Sequence, residues 1–219
     1  MIQFSIFRIP VAVHWSFFLV VAFLGGGLSA SNAHEWQMVF TFMLAAFISI
    51  VIHELGHAFT GLKLGAHRAT ITLMGMGGVA SFPGSNLTRW RDFAITAAGP
   101  LSSLLLAMIA LLTLRSISPI LDGESRFHLN VFGFLRIMVF INIFWTLFNL
   151  CPLMPLDGGR MMKNLVGYRF PKISAIIGFA ALIVMALALW FYTGSIYNMI
   201  LIVVLGMYHW KAYQYAFRN

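Results

Sequence analysis

Long apolar segments recur along this chain and are separated by short polar stretches. A segment needs about 20 mostly apolar residues to cross the hydrocarbon core of a bilayer. Six segments meet this requirement, near residues 11–30, 36–61, 93–114, 131–150, 173–192 and 195–210. The pattern predicts an all-α polytopic membrane protein with about six transmembrane helices, forming one membrane-embedded domain over residues 1–219.

One interval, between the second and third predicted spans, has a different pattern. Residues 69–73 alternate small or polar side chains with apolar ones and lead into a glycine-rich run over residues 75–80. Alternation with a period of two is typical of a strand, and the glycines permit a tight turn. We therefore expect a small membrane-associated β-hairpin or re-entrant loop after the second helix. The glycine run has no following dinucleotide-type helix and acid, so it does not indicate a phosphate site.

Composition supports the membrane interpretation. Hydrophobic residues make up 60% of the chain and charged residues 9%, against roughly 25% charged in an average soluble domain. The net charge of +8 does not indicate nucleic-acid binding, because the basic residues are scattered in short loops. The expected partner is the lipid bilayer, with no nucleic acid. The single cysteine, Cys151, excludes an intrachain disulfide.

The basic residues also predict an orientation. Eleven of them lie in the intervals on one side of the predicted spans: Arg8, Lys63, Arg68, Arg89, Arg91, Arg160, Lys163, Arg169, Lys172, Lys211 and Arg218. The opposite intervals carry Arg115 and Arg126 together with three acids. By the positive-inside rule both termini are cytoplasmic, and a bacterial chain would lie in the cell (inner) membrane. Residues 25–30 match a signal-peptide cleavage site only loosely, so we expect the first segment to be retained.

Ionisable residues within a membrane are costly, which makes them functional candidates. Asp92 opens the third predicted span, where a negative charge favours a helix start, and we assign it no further role. Glu54, in contrast, lies deep in the second predicted span, inside the sequence His53-Glu54-Leu55-Gly56-His57. Histidines four residues apart share one helical face and can bind the same Zn²⁺, with the glutamate beside it as a general base. The motif predicts one zinc ion per chain, bound by His53 and His57, with Glu54 catalytic.

A catalytic zinc usually has three protein ligands, so a third is needed. The candidates are His14, His34, His67, His128, His209 and Asp157. The other histidines fall in predicted loops or near predicted cytoplasmic helix ends, whereas Asp157 follows Pro152 and Pro155 on a segment that breaks the fourth helix. Such backbone is tolerated at membrane depth only against protein or a water-filled cavity. We therefore predict Asp157 as the third metal ligand.

Two motifs in this order resemble those of the site-2 protease family of intramembrane zinc metalloproteases, peptidase family M50. The first is H-E-x-x-H within one span. The second, N-x-x-P-x-x-P-L-D-G-G, begins at Asn149 near the end of a later span. The resemblance runs from about the first span to beyond Arg160. Because the chain stops at Asn219, soon after its last predicted span, we expect a minimal form without the PDZ or CBS domains of many relatives.

Roles for individual residues follow from this resemblance. It implies that His53, His57 and Asp157 bind zinc and that Glu54 is the catalytic glutamate. It also implies that Asn149 helps to position the substrate or to polarise its carbonyl group. A buried asparagine equally caps a broken helix end, and the sequence leaves both interpretations of Asn149 open.

The implied activity is hydrolysis of peptide bonds within or near the transmembrane segments of membrane proteins, as in regulated intramembrane proteolysis. The resemblance further implies a single-span substrate bound as an extended strand, and it leaves a homo-oligomer open. The alternative is a non-hydrolytic membrane protein that binds or transports a divalent metal. Transport would need polar groups across the whole bilayer, whereas polarity here is concentrated in one half. An inactive relative that only holds substrates is disfavoured by Glu54.

Overall fold

The computed structural model describes residues 1–118, 126–166, 170–193 and 196–218. Its elements are β1 (Ile2–Ile6), β2 (Ile9–Val13), α1 (Trp15–Leu24), α2 (Ala33–Lys63), β3 (Thr70–Met74), β4 (Gly77–Ser81), α3 (Arg89–Ile117), α4 (Arg126–Asn149), α5 (Asp157–Val166), α6 (Pro171–Thr193) and α7 (Ile196–Arg218). They form two compact units, the first from Met1–Leu87 with Ala98–Thr146, and the second from Thr88–Ala97 with Leu147–Asn219.

The first unit is built on a four-stranded sheet with the order β1-β2-β3-β4. β1 and β2 are antiparallel, β2 and β3 are parallel, and β3 and β4 form the predicted antiparallel hairpin. Alternate residues of β2 and β3 are buried, as a period of two requires: Ile9, Val11, Val13, Ile71 and Leu73. These side chains share one apolar core with α2, so the sheet is packed on the helix that carries the H-E-x-x-H sequence.

The N-terminal apolar segment differs from its prediction. Residues 11–30 are not one helix, because β2 occupies their beginning and α1 has only 10 residues. Ten helical residues rise about 15 Å, half of the roughly 30 Å hydrocarbon core. The prediction of a spanning helix here is wrong, and the expected single hairpin is part of a larger sheet. An apolar run does not by itself distinguish a strand from a helix, which is why the pattern misled.

Four described helices are long and apolar enough to cross a membrane: Ala33–Lys63, Arg89–Ile117, His128–Asn149 and Lys172–Phe191. They coincide with the second to fifth predicted spans. α7 is a helix where the sixth was expected, but the count of six spans is not confirmed, because the first predicted segment is not a spanning helix. The connection near residues 194–195 and the positions of Arg169, Asp122 and Glu124 lie outside the described residues.

The second unit contains α5, α6, α7 and the first turns of α3. α4 ends at Asn149, and Pro152 and Pro155 follow it, as predicted. Leu153, in the connection to α5, is fully buried. His209 of α7 holds this connection: its Nδ1 accepts a hydrogen bond from the Met154 N–H at 3.1 Å, and its Nε2 lies 3.2 Å from the carbonyl oxygen of Ala175. The His209 side chain therefore links the segment before Asp157 to the backbone of α6.

Candidate metal centre

The two histidines of α2 meet on one face of the helix, as their spacing of four predicts. His53 Nε2 and His57 Nε2 lie 3.2 Å apart, and the two rings are nearly perpendicular. Both side chains are buried, with 2% and 6% exposed. Two nitrogens bound to one tetrahedral zinc at about 2.0–2.1 Å lie roughly 3.3 Å apart. The histidine pair therefore already has the separation that a shared zinc ion requires.

Glu54 completes the group. The candidate ligand atoms of His53, Glu54 and His57 all lie within 4.8 Å of one another. Glu54 is 4% exposed, and no other group of three such residues occurs in the described part of the chain. Burying a carboxylate and two imidazoles inside an apolar helix costs free energy, unless the three groups are hydrogen-bonded or coordinate a metal. The group is able to hold a metal ion.

Ser103 of α3 orients the first histidine. Its hydroxyl lies 3.0 Å from His53 Nδ1, and the serine is fully buried. With the hydrogen on Nδ1 donated to Ser103, Nε2 carries the lone pair that a metal needs. The hydrogen bond thus fixes the orientation of the His53 ring, and the tautomer with its hydrogen on Nδ1 presents Nε2 as the ligand atom. Nothing in the local sequence around Ser103 signalled this role.

Two glycines allow the backbone to come close to the three side chains. A Cβ on Gly99 of α3 would overlap the His57 ring and press on His53 Nε2, and a Cβ on Gly78 of β4 would overlap the Glu54 carboxylate. Gly78 lies in the glycine-rich run, and Gly99 in an Ala-Ala-Gly-Pro sequence that suggests close packing. Their contact with the metal-binding group is visible only in the fold.

The remaining histidines have other surroundings. His14 is the N-cap of α1, where its side chain accepts a hydrogen bond from the Ser16 N–H. His34 and His67 are exposed, and His128 lies near the start of α4. His209 is buried, with both ring nitrogens in contact with backbone groups. None of these five joins a group of three candidate ligands within the described residues.

Asp157 and Asn149 belong to the second unit. Asp157 is the first residue of α5 and is buried, and Asn149 is the last residue of α4 and is also buried. Gly158 and Gly159 lie so close to the backbone of residues 150–154 that a side chain on either would overlap it. The carboxylate is therefore set at the junction of the broken segment and a short helix that the sequence analysis did not predict. Metal binding by Asp157 and the role of Asn149 stay predictions.

Asp92 ties this short helix to α3. Its Oδ1 accepts a hydrogen bond from Arg160 Nη2 at 2.8 Å, and its Oδ2 accepts one from Asn164 Nδ2 at 2.7 Å. Arg89 donates to the carbonyl oxygens of Asn164 and Leu165 at the end of α5, where a cation is favourable. The interpretation of Asp92 as a helix-start charge alone is therefore wrong. Two side chains of α3, Arg89 and Asp92, therefore hold the helix that begins with Asp157.

Comparisons with known proteins identify the family. A sequence profile of peptidase family M50 matches residues 41–121 and 116–193, which include both motifs. The chain belongs to peptidase family M50. This confirms the resemblance drawn from the two motifs and, with the four apolar helices, makes the chain an integral membrane protein.

Relatives of this M50 chain are named as zinc metalloproteases. A zinc metalloprotease of Methanocaldococcus jannaschii is 29% identical over 191 residues, which cover 84% of this chain and 52% of the relative. A Synechocystis protein named among the zinc metalloproteases is 34% identical over 170 residues, covering 74% of this chain and 43% of the relative. The chain thus spans about half the length of these curated relatives.

A solved structure has a similar fold. The site-2 protease from Methanocaldococcus jannaschii matches with a TM-score of 0.64 and 29% identity, and the match covers 97% of this chain and 94% of that one. The agreement extends over nearly all of both chains. The predicted fold of a site-2 protease is therefore confirmed.

Proposed function

We propose that this M50 chain is an intramembrane zinc metalloprotease that hydrolyses peptide bonds within or near the transmembrane segments of membrane proteins. The observation that carries the proposal is the buried pair of imidazole nitrogens, 3.2 Å apart and beside Glu54, on a helix able to span a bilayer. His53 and His57 hold the zinc, and Asp157 is the proposed third ligand. Zinc at this position supplies Lewis-acid assistance to amide hydrolysis.

Glu54 is the proposed general base. It takes a proton from the attacking water as the water oxygen bonds to the substrate carbonyl carbon. When the C–N bond then breaks, the proton passes to the departing amine nitrogen. Burial of the carboxylate beside Gly78 keeps it in a fixed position next to the histidines. Asn149 is proposed either to polarise the substrate carbonyl or to cap the broken helix end.

The proposal is tested with Glu54→Gln, which keeps the size of the side chain and removes its basicity. We expect the variant to bind zinc and to lose cleavage of a single-span reporter protein in reconstituted vesicles. The matched control is Glu35→Gln, because Glu35 is an exposed carboxylate in the first turn of the same helix and should leave both properties unchanged. Full cleavage by zinc-loaded Glu54→Gln would refute the mechanism. Zinc binding by the wild type without cleavage of any substrate would favour the transporter alternative.

We further propose that the substrate binds as an extended strand along β4. This strand lies at the edge of the sheet, and its Gly78 touches Glu54. A peptide added to that edge would present its backbone next to the proposed base. A single-span substrate must unwind locally to do so, since its helical carbonyl groups are bonded within the helix.

Two neighbouring proline substitutions test strand addition. Successive residues of a strand point their N–H groups to opposite edges, so Val79→Pro and Ala80→Pro remove one donor towards β3 and one towards the proposed substrate. We expect one of the two variants to keep the wild-type melting temperature and zinc content while its KM rises. If both variants either unfold or cleave normally, strand addition at β4 is wrong.

A further inference from the structure

The turn between β1 and β2 has an unusual sequence for its geometry. Ile6 pairs with Ile9, so Phe7 and Arg8 alone make the turn, and their φ angles are +50° and +66°. Two positive φ values in a two-residue hairpin define a type I′ turn, which strongly prefers Asn-Gly. Phenylalanine and arginine are strained there. Phe7 is also 77% exposed, so burial in the protein core does not explain its presence.

The turn lies beside the end of a membrane-spanning helix. The Phe7 ring contacts the ring of Phe59, one turn before α2 ends at Lys63, with centroids 5.6 Å apart. In the parallel pair of β2 and β3, Val11 is level with Ile71. Arg8 comes one residue before β2 and Arg68 two residues before β3. Because the two strands are parallel, both arginines lie at the same end of the sheet.

This end of the first unit carries positive charge and exposed aromatic rings. We call Phe7, Arg8, Phe59, Lys63 and Arg68 the hairpin-tip patch, and all five side chains are exposed. The nearest acids in the sequence are Glu35, Glu54 and Asp92, and Glu54 is buried beside Gly78. The three cations are therefore not neutralised by an acid of their own segments.

Exposed aromatic rings next to lysine and arginine, at the point where a spanning helix ends, are typical of the interface between lipid headgroups and acyl chains. We propose that the hairpin-tip patch binds the headgroup layer of anionic phospholipids. Phe7 inserts among the upper acyl-chain carbons, and the three cations contact lipid phosphates. Each cation near such a surface strengthens association about fivefold. The strained turn is retained because Asn-Gly would supply neither the ring nor the charge.

The sheet connects the hairpin-tip patch to the candidate metal centre. β2 carries the tip and pairs with β3, which pairs with β4, and Gly78 of β4 touches Glu54. Anchoring the tip fixes the sheet, and hence the proposed substrate edge, at one depth in the membrane. Anionic lipid is therefore expected to raise the rate of cleavage. This last consequence rests on the proposed protease function, whereas lipid binding by the tip does not.

Spin labelling measures the binding directly. A nitroxide is attached to Phe7→Cys in the full chain, with Cys151 replaced by alanine, and the protein is reconstituted in nanodiscs of phosphatidylcholine with or without phosphatidylglycerol. We expect the label to be more accessible to oxygen than to an aqueous nickel chelate, and this difference to grow with phosphatidylglycerol. The control label at Asn86→Cys, on an exposed loop position, should stay accessible to nickel in both lipids. Nickel accessibility at position 7 equal to that at 86 overturns the proposal.

Two sets of variants separate lipid binding from folding. Replacing Arg8, Lys63 and Arg68 together with glutamine should abolish the effect of phosphatidylglycerol on the label. The turn variant Phe7→Asn/Arg8→Gly should melt at or above the wild-type temperature, because it relieves the strain, yet lose any stimulation of cleavage by phosphatidylglycerol. Unchanged stimulation in this well-folded variant contradicts the proposal. If the label becomes inaccessible to the nickel chelate only when substrate is added, in either lipid, the patch is a protein-docking surface. That result also contradicts the lipid-binding proposal.

Discussion

Substitution of Ser103 tests whether the fold orients His53 for metal binding. Its hydroxyl is hydrogen-bonded to His53 Nδ1 at 3.0 Å, and both residues are buried. Ser103→Ala removes this hydrogen-bond partner of His53 without adding volume. Loss of a buried hydrogen-bond partner costs about 1–3 kcal/mol, and removal of a residue that orients a metal-bound histidine typically weakens metal binding about 10–100-fold. We therefore expect zinc to dissociate roughly 10–100 times faster from the variant.

The assay follows transfer of zinc from the purified protein to a chromogenic chelator. The matched control is Ser102→Ala, one residue earlier in α3, because the Ser102 hydroxyl donates to the backbone carbonyls of Ile52 and Gly99 and not to a histidine ring. This control loses a hydroxyl from the same helix and should release zinc at nearly the wild-type rate. Melting temperatures of both metal-free variants show whether folding has changed. Equal zinc release from the two variants, with both folded, would refute the orienting role of Ser103.

Other substitutions probe the close contacts. Gly78→Ala drives a methyl group into the Glu54 carboxylate, so we expect at least a tenfold loss of cleavage, about 1.4 kcal/mol, with zinc retained. Gly99→Ala meets the histidines instead, so zinc content should fall; the opposite pattern in these two variants would contradict the assigned contacts. Asp92→Arg and Arg160→Asp should each lower the melting temperature, and the double exchange should recover a coupling of about 0.2–1 kcal/mol, as for a partly exposed pair. A thermal-unfolding cycle with zero coupling would show that the pair does not hold α5.

Much of the candidate site was predictable because its chemistry is local. A spacing of four residues places His53 and His57 on one helical face whatever surrounds the helix, and the apolar sequence on both sides predicts that this helix is buried. The alternation before the glycine run predicted β3 and β4, and the two prolines predicted the end of α4. Each of these signals acts within about ten residues, so one sequence is enough to find it.

The N-terminal segment shows where local pattern fails. Ile9–Val13 is apolar at every position, and such a run fits a strand as well as part of a helix. The partner that decides between them, β3, begins at Thr70. Backbone pairing over that distance depends on how α2 returns the chain to the same place, which the pattern does not encode. The strained turn at Phe7 and Arg8 escaped notice for the same reason.

By itself, then, the sequence determined a zinc-type motif in an apolar helix, a later broken segment with Asp157, and the family in which these occur together. The tertiary structure alone decided what surrounds the motif. Ser103 is 50 residues from His53, and Arg160 is 68 residues from Asp92. Gly78 and Gly99 matter only because Glu54 and the histidines pack against them. Such contacts arise from the packing of elements that are distant in sequence, so no periodicity or spacing along the chain predicts them.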